Sequence, residues 1–175
     1  VEYPHGGELV RRALWVSEPA TTNNRMALRS VIESFRAISR KGNRFRVVFT
    51  TDSRYIVDGM TRWVHDWARR GWRRKSGAIE NLELWKEAVR EAAPHQVSWR
   101  WVRGHDGHAQ NEFANDMAVR AAATLDASGG LVDAGFEAWL AAREEAGKRS
   151  RLGEFPGEFW ASPALPATEG TVLLE

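Results

Sequence analysis

One short run of residues limits the folds open to this chain more than any other. Residues 47–53 read Val-Val-Phe-Thr-Thr-Asp-Ser, a β-branched apolar run that ends in a single carboxylate. Such a run is typical of a buried strand in an α/β sheet, and ligands bind at the carboxyl ends of such strands. We therefore expect Asp52 to lie where a metal ion or a phosphate binds. The alternative is that Asp52 or Ser53 simply caps the following helix.

The apolar periodicity on either side of this run predicts an α/β fold in which strands and helices alternate. Residues 156–175 are rich in proline and glycine and are expected to be irregular. The predicted strands cover residues 8–16, 45–52 and 96–102, and the predicted helices cover residues 26–38, 53–60, 61–70, 81–93, 110–123 and 132–146.

Composition places the chain among globular proteins, with 43% hydrophobic and 27% charged residues in a length of 175. The absence of cysteine excludes a disulfide framework and thiolate chemistry. Because no apolar run is long enough to span a membrane and no signal peptide is recognisable, we expect a soluble, cytoplasmic protein without a membrane partner.

Charge divides the chain into two parts. Residues 126–175 hold four Lys/Arg and nine Asp/Glu, a net charge of −5, which leaves +7 for residues 1–125 of a chain whose total is +2. We expect residues 1–125 to form the main domain and residues 126–175 a C-terminal extension with one amphipathic helix and an irregular tail. A basic domain favours a polyanionic partner, although a solvated basic surface without any partner is the simpler alternative.

A segment rich in tryptophan and arginine covers residues 62–75 and holds one acidic residue. Indole rings stack on bases or sugars while guanidinium and ammonium groups contact phosphates, so this composition suits nucleic-acid binding. The alternative for Trp63 and Trp67, which are four residues apart, is a buried helix face. The segment contributes three tryptophans, Trp63, Trp67 and Trp72, and the candidate phosphate-binding residues Arg69, Arg70, Arg73, Arg74 and Lys75.

A glycine-flanked loop carries His105 and His108 between a predicted strand and a predicted helix. A histidine on such a loop, near carboxylates, can transfer protons or assist product release. Two histidines three residues apart could instead suggest a zinc site. The chain has no cysteine and no second histidine pair, so a zinc site is much less favoured than proton transfer or product release. The following helix adds Asn111, Glu112 and Asn115.

These segments together resemble type 1 ribonuclease H, in the order of that family and at nearly its spacing. The resemblance extends over about residues 8–123. The matching motifs are Thr22-Asn23-Asn24-Arg25-Met26, Thr51-Asp52-Ser53, the segment from Trp63 to Trp72, the helix start from Asn81 to Trp85, and the run from Trp99 to His108 followed by Asn111-Glu112.

The resemblance implies a mixed sheet flanked by helices that binds an RNA–DNA hybrid and cuts the RNA strand with two Mg²⁺ ions held by four carboxylates. Asp52 then matches a catalytic carboxylate and His105 the histidine of the mobile loop. For binding, Thr22 resembles the residue of the phosphate pocket, and Trp63 with its basic neighbours resembles the contact to the DNA strand. Asn23 and Asn24 match the residues that contact the minor groove, where the 2′-OH distinguishes RNA from DNA. Arg25, the next residue of the motif, is a further candidate for nucleic-acid binding.

The chain departs from this family at the catalytic carboxylates. The Asp-Gly-Ser strand that carries the first one has no counterpart, so we expect the first strand of the sheet to be absent. Ala27 stands where the family has its motif glutamate, and Asn115 stands at the helix aspartate. Asp52 is therefore the only one of the four that is retained. Asn115 could still offer a neutral carbonyl ligand, Glu112 could reach the same helix face, and Asp116 is rotated by about 100° away from it.

Three hypotheses remain open at this point. The first is a ribonuclease H with part of its catalytic equipment missing, because a pair of Mg²⁺ ions, or Mn²⁺ ions in their place, needs more negative oxygens than one carboxylate supplies. The second is a module that binds hybrids without cleaving them. The third is an interaction scaffold that uses the helix of residues 132–146. For the missing strand, either the chain is a fragment or a protein partner fills the gap, since the neighbouring strands would otherwise expose unpaired edges.

Overall fold

The computed structural model describes residues 1–39 and 42–168, and these residues form an α/β fold, as predicted. Strand β1, which the sequence did not predict, precedes a β2 shorter than expected. The elements in chain order are β1 (Glu2–His5), β2 (Glu8–Arg11), α1 (Asn23–Ser39), β3 (Arg46–Thr51), α2 (Arg54–Asp58), a π-helical turn (Gly59–Trp63), α3 (Val64–Arg69), α4 (Leu82–Ala92), β4 (Gln96–Trp101), α5 (Ala109–Thr124) and α6 (Phe136–Glu145).

The chain folds as two compact units, each built from segments that are distant in the sequence. Unit 1 combines Val1–Ala20 with Arg103–Gly157, and unit 2 combines Thr21–Val102 with Glu158–Glu175, of which residues 158–168 are described. The charge distribution of the sequence predicts a single boundary, after residue 125. That single boundary stays a prediction about which part folds on its own.

The sheet of unit 2 is a parallel pair, β3 with β4. Their register sets Val47 opposite Val97, Phe49 opposite Trp99 and Thr51 opposite Trp101. The alternation of side chains sends Phe49 and Trp99 to one face, where their rings lie 5.1 Å apart. The apolar run that the sequence placed in a strand therefore forms one wall of a core. Helices α1 and α4 supply the other wall, chiefly through Leu28, Val31, Ile32, Phe35, Trp85, Ala88, Val89 and Ala92.

A tryptophan–glycine contact determines how the α2–α3 region packs in unit 2. Trp85 of α4 is fully buried, and its indole lies against Gly59 so closely that a Cβ on Gly59 would be 1.9 Å from the ring. The π-helical turn begins at this glycine, and π-helical turns inside helices widen the backbone locally. The indole N–H donates a hydrogen bond of 2.9 Å to the Tyr55 hydroxyl. Only glycine at position 59 allows this approach.

His95 joins the loop before β4 to the end of α1. Its Nδ1 accepts the Phe45 backbone N–H at 3.2 Å, and its Nε2 lies 2.8 Å from Ser39 Oγ. Because a backbone N–H can only donate, Nδ1 must be unprotonated and the ring must carry its proton on Nε2. Burial lowers the pKa of His95, since the charged form loses solvation. The fold therefore requires the neutral imidazole.

Unit 1 contains an antiparallel hairpin of β1 and β2, together with α5 and α6. Phe113 of α5 packs edge-on against Phe136 and Trp139 of α6 with ring centroids 5.2 Å apart in each pair. The apolar stripe of the C-terminal helix is therefore packed against α5. The predicted helix start at residue 132 is wrong, because Val132 forms a β-bridge with Ala13 and α6 begins at Phe136.

The segment after Gly157 is irregular in its described part, as predicted, but it is not detached from unit 2. The Ser162 backbone N–H donates to Val97 O at 2.8 Å, and Ser162 Oγ accepts the Trp99 N–H at 3.1 Å. Leu165 packs against the apolar core. Residues 158–168 thus cover one edge of β4. Within residues 1–39 and 42–168, no helix has the length and apolar character needed to cross a membrane.

Gly59→Ala is expected to destabilise the protein. The new methyl group would overlap the Trp85 ring, and overpacking of this kind costs about 1–3 kcal/mol. Thermal unfolding should show a melting temperature lowered by several degrees. Gly157→Ala is the matched control, because nothing lies within 4 Å of its Cβ position. Equal melting temperatures for the two variants would contradict the packing role of Gly59.

Stability is expected to fall in acid through His95. A histidine whose pKa is lowered by folding binds its proton more readily in the unfolded chain, so its contribution is complete above the unfolded pKa of about 6.5 and is lost as the pH falls toward the lower folded pKa. Denaturant unfolding at several pH values should show this slope. His95→Asn should flatten this dependence of stability on pH.

Candidate nucleic-acid and catalytic site

Asp52 stands immediately after β3, at the carboxyl end of the parallel strand pair. Ser53, not Asp52, caps α2: its Oγ accepts the Ile56 N–H at 3.4 Å, while its own N–H donates to Thr51 Oγ1 at 3.1 Å. Asp52 is exposed, and its carboxylate has no hydrogen-bond or ion-pair partner among the described residues. The capping alternative therefore applies to Ser53 and leaves the Asp52 carboxylate available to a ligand.

Two further side chains of unit 2 surround Asp52, and the sequence analysis did not identify them as a pair. The Trp101 indole N–H donates a hydrogen bond of 3.0 Å to the backbone carbonyl of Asp52. The Arg54 guanidinium lies over the Trp101 ring, 4.0 Å from its centroid. The in-register pairing of Thr51 with Trp101 could have revealed the arrangement, because it places the ends of β3 and β4 side by side.

The Thr22–Arg25 motif forms the beginning of α1. Thr22 Oγ1 accepts the Arg25 N–H at 3.3 Å, and its carbonyl accepts the Met26 N–H at 3.0 Å, so Thr22 caps the helix. Thr22 and Asn23 are exposed, while Asn24 and Arg25 are half-buried. A hydroxyl that accepts a capping hydrogen bond keeps its own proton to donate, for example to a phosphate.

The tryptophans of the basic segment lie mainly in the core of unit 2. Trp63 is half-buried, with its ring 5.7 Å from Tyr55 and 6.2 Å from Trp85. Trp67 lies 5.6 Å from Trp85. Trp72, which the sequence analysis grouped with them as a stacking residue, is only 9% exposed. Core packing is thus the structural role of these rings, and the assignment of Trp63 to a nucleic-acid contact stays a prediction.

The basic residues of this segment are exposed, but three of them already have partners, of which Arg62 pairs with Asp58 at 2.6 Å. Arg69 pairs with Asp66, and Arg74 donates to the Ser76 carbonyl. Arg70, Arg73 and Lys75 have no hydrogen-bond or ion-pair partner in the described part of the chain. These three are therefore the charges most available to a polyanion.

The loop with His105 belongs to unit 1. His105 is exposed and adopts a left-handed backbone conformation with φ +55°, while His108 caps α5 by accepting the Asn111 N–H at Nδ1, 3.4 Å away. Residues 149–153 pair with this loop: the Arg151 N–H donates to Gly107 O at 2.6 Å and Arg151 O accepts the Ala109 N–H at 2.9 Å. His108 thus has a structural role, and His105 is the histidine that faces solvent.

The polar side chains of α5 differ in their availability. Glu112 forms a half-buried ion pair of 3.8 Å with Arg143 of α6. Asp116 accepts the Trp139 indole N–H at 2.9 Å. Asn115 is exposed, and no described residue hydrogen-bonds to its side chain. Glu112, a candidate metal ligand in the sequence analysis, is therefore already paired with a cation.

The acidic side chains of the candidate site differ in whether a described residue already engages them. Among residues 1–39 and 42–168, no three Asp, Glu, His or Cys side chains converge as metal ligands. Asp52 offers one free carboxylate, whereas the two acids of α5 nearest Asn115 are engaged with Arg143 and Trp139.

Comparisons with known proteins agree with the resemblance found in the sequence. The family model described as RNase H matches residues 6–123. Ribonuclease HI of Neisseria meningitidis serogroup B is 47% identical over 113 residues, which cover 64% of this chain and 76% of that protein. Ribonuclease H of Halorhodospira halophila is 49% identical over 108 residues, covering 61% and 70% respectively.

A solved structure matches almost the whole chain. It is described as the crystal structure of LC9-RNase H1, a type 1 RNase H with the type 2 active-site motif. The two sequences are 66% identical, the TM-score is 0.90, and the match covers 98% of this chain and 83% of that chain. The predicted ribonuclease H-like fold is thereby confirmed, and this chain belongs to the RNase H family.

Proposed function

We propose that this protein binds RNA–DNA hybrids and that its reaction is metal-dependent endonucleolytic cleavage of the RNA strand. The observation that carries the proposal is the free, exposed Asp52 carboxylate at the carboxyl end of a parallel strand pair, in a chain of the RNase H family. The names of its relatives support the same reaction. Mg²⁺ is the ion proposed for it, with Mn²⁺ as a substitute.

We further propose that cleavage by this chain alone is impaired. Ala27 and Asn115 remove two carboxylates from the family pattern, and the described acids around Asn115 are held by α6. His105 remains the candidate for proton transfer or product release. Hybrid binding without hydrolysis is the second candidate function, and the departures from the family pattern at Ala27 and Asn115 favour it.

The solved relative bears on the meaning of Ala27. Its description names a type 1 RNase H that has the type 2 active-site motif. A protein that is 66% identical to this chain thus departs from the type 1 motif. We propose that Ala27 reflects such a change of motif, so the proposed impairment rests on Ala27 and Asn115 together and not on Ala27 alone.

The interaction-scaffold alternative receives little support from the structure. It needs an unpartnered apolar face on the C-terminal helix, but Phe136 is 6% exposed and packs with Trp139 against Phe113 of α5. The stripe is therefore used within unit 1. A protein partner that completes the sheet stays a proposal.

The cleavage proposal predicts low turnover of a labelled RNA–DNA hybrid by this chain, somewhat higher with Mn²⁺ than with Mg²⁺. Asp52→Asn should abolish what remains, because the free carboxylate at the strand end is lost. Glu80→Gln, which also removes one exposed acid of unit 2, is the control and should change nothing. Ala27→Glu combined with Asn115→Asp should raise the rate, because each change adds a carboxylate where the family has one. If the unmodified chain cleaved the hybrid as fast as an active ribonuclease H does, the proposal of impaired cleavage would be wrong.

The binding proposal predicts a salt-dependent affinity carried by the unpaired arginines of the basic segment. Replacing Arg70 and Arg73 together by alanine should weaken hybrid binding and reduce the log–log salt slope by about two units, one for each lost phosphate contact. Arg69→Ala should do less, because Asp66 already neutralises that guanidinium. The control, Arg46→Ala with Arg90→Ala, removes the same charge elsewhere on unit 2. If the salt slope fell equally in the control variant, the basic segment would not be part of the binding interface.

A further inference from the structure

Arg54, Trp101 and Asp52 form a cluster at the carboxyl ends of β3 and β4. The indole of Trp101 is fixed at its edge by the hydrogen bond of its N–H to Asp52 O, 3.0 Å away. Its face supports the Arg54 guanidinium at 4.0 Å. The indole is 40% exposed, and both Arg54 and Asp52 are exposed. The cluster therefore faces solvent while its geometry is set from the backbone.

The arrangement keeps a cation and an anion close in sequence without pairing them. An exposed arginine two residues after an aspartate can form an ion pair with it at little cost. Here no carboxylate of the described residues pairs with the Arg54 guanidinium. Stacking on an aromatic ring is favourable even at an exposed site and biases the rotamer of the arginine. Trp101 thus leaves Asp52 free and holds a positive charge beside it.

The stacked guanidinium keeps the geometry that phosphates recognise. Stacking uses the face of the planar group. Its N–H donors point outward along the edge and can donate hydrogen bonds to two phosphate oxygens at once. A lysine in this position would present a point charge with no planar face to stack. The chemistry of the cluster therefore fits a backbone phosphate of a strand that passes Asp52.

We propose that Arg54 binds a phosphate of the RNA strand of a hybrid beside Asp52, and that Trp101 is the residue that positions Arg54. This inference rests on the proposed function, since it assumes that a hybrid is bound at the end of β3. It adds a contact in unit 2 that is separate from the basic segment of residues 69–75.

The first test measures binding of a fluorescent RNA–DNA hybrid by anisotropy at several salt concentrations. Arg54→Ala should weaken binding about five-fold at low salt and reduce the salt slope by about one unit. Arg54→Lys should keep the slope but recover the affinity only in part. Arg90→Ala is the control, because it removes an exposed arginine of α4 that has no described ion-pair partner.

The second test locates the contact on the hybrid. A neutral methylphosphonate linkage is moved along the RNA strand, one position at a time. At one position the substitution should weaken binding of the unmodified protein yet have no effect on Arg54→Ala, because the same contact is already lost. A scan along the DNA strand should show no such position. If the position appeared on the DNA strand instead, the strand assignment would be wrong.

The third test separates positioning from a merely structural role of Trp101. Trp101→Phe keeps an aromatic face and should keep most of the affinity and the full salt slope. Trp101→Leu should behave like Arg54→Ala in the salt titration. If Trp101→Leu lowered the melting temperature but kept the slope, the residue would be structural only and the positioning role would be refuted.

The outcomes distinguish this inference from the function on which it rests. If the unmodified protein binds no hybrid at any salt concentration, the proposed function fails. If it binds hybrid and Arg54→Ala matches Arg90→Ala in affinity and slope, the function stands and the Arg54 contact is wrong.

Discussion

The parallel pairing of β3 with β4 is the constraint on which the site in unit 2 depends. Thr51 lies opposite Trp101, and the Val102 N–H donates to Thr51 O at 3.0 Å, so the two strands end together. A slip of one residue would turn the Trp101 side chain to the opposite face of the sheet. It would lose its hydrogen bond to Asp52 O and its stack with Arg54. The buried aromatic contacts of the sheet thus fix the geometry of exposed polar groups.

The elements with strong periodicity could be predicted from the sequence, and those created by pairing or packing could not. Strand β3 and helix α4 agree with prediction to within one or two residues, because their apolar spacing is unambiguous. Strand β1 contains Pro4 and is largely exposed, so it carries no alternation and forms only through its pairing with β2. The π-helical turn depends on the contact of Gly59 with Trp85, which no local pattern reveals.

Some features of the candidate site could likewise be predicted from the sequence, and others could not. Asp52 was predictable because a buried run ends at it, but the stacking of Arg54 on Trp101 joins residues on different strands. Trp72 was assigned to the surface because it lies among arginines. Its backbone adopts φ +60° and its N–H bonds to Trp67 O at 2.7 Å, and the indole is buried. Composition identified the basic segment, whereas backbone geometry decided which of its side chains reach solvent.

Helix α6 engages the two acids of α5 that lie nearest Asn115. Glu112 and Asp116 are the acids of α5 nearest Asn115, but Arg143 pairs with the first and Trp139 hydrogen-bonds to the second. Arg143 also lies 4.9 Å from the Trp139 ring, so the two contacts support each other. Freeing either acid would leave a half-buried partner unsatisfied, which costs about 1–3 kcal/mol. Among these positions of α5, exposed Asn115 is therefore where a carboxylate could be added without disturbing the packing of α6.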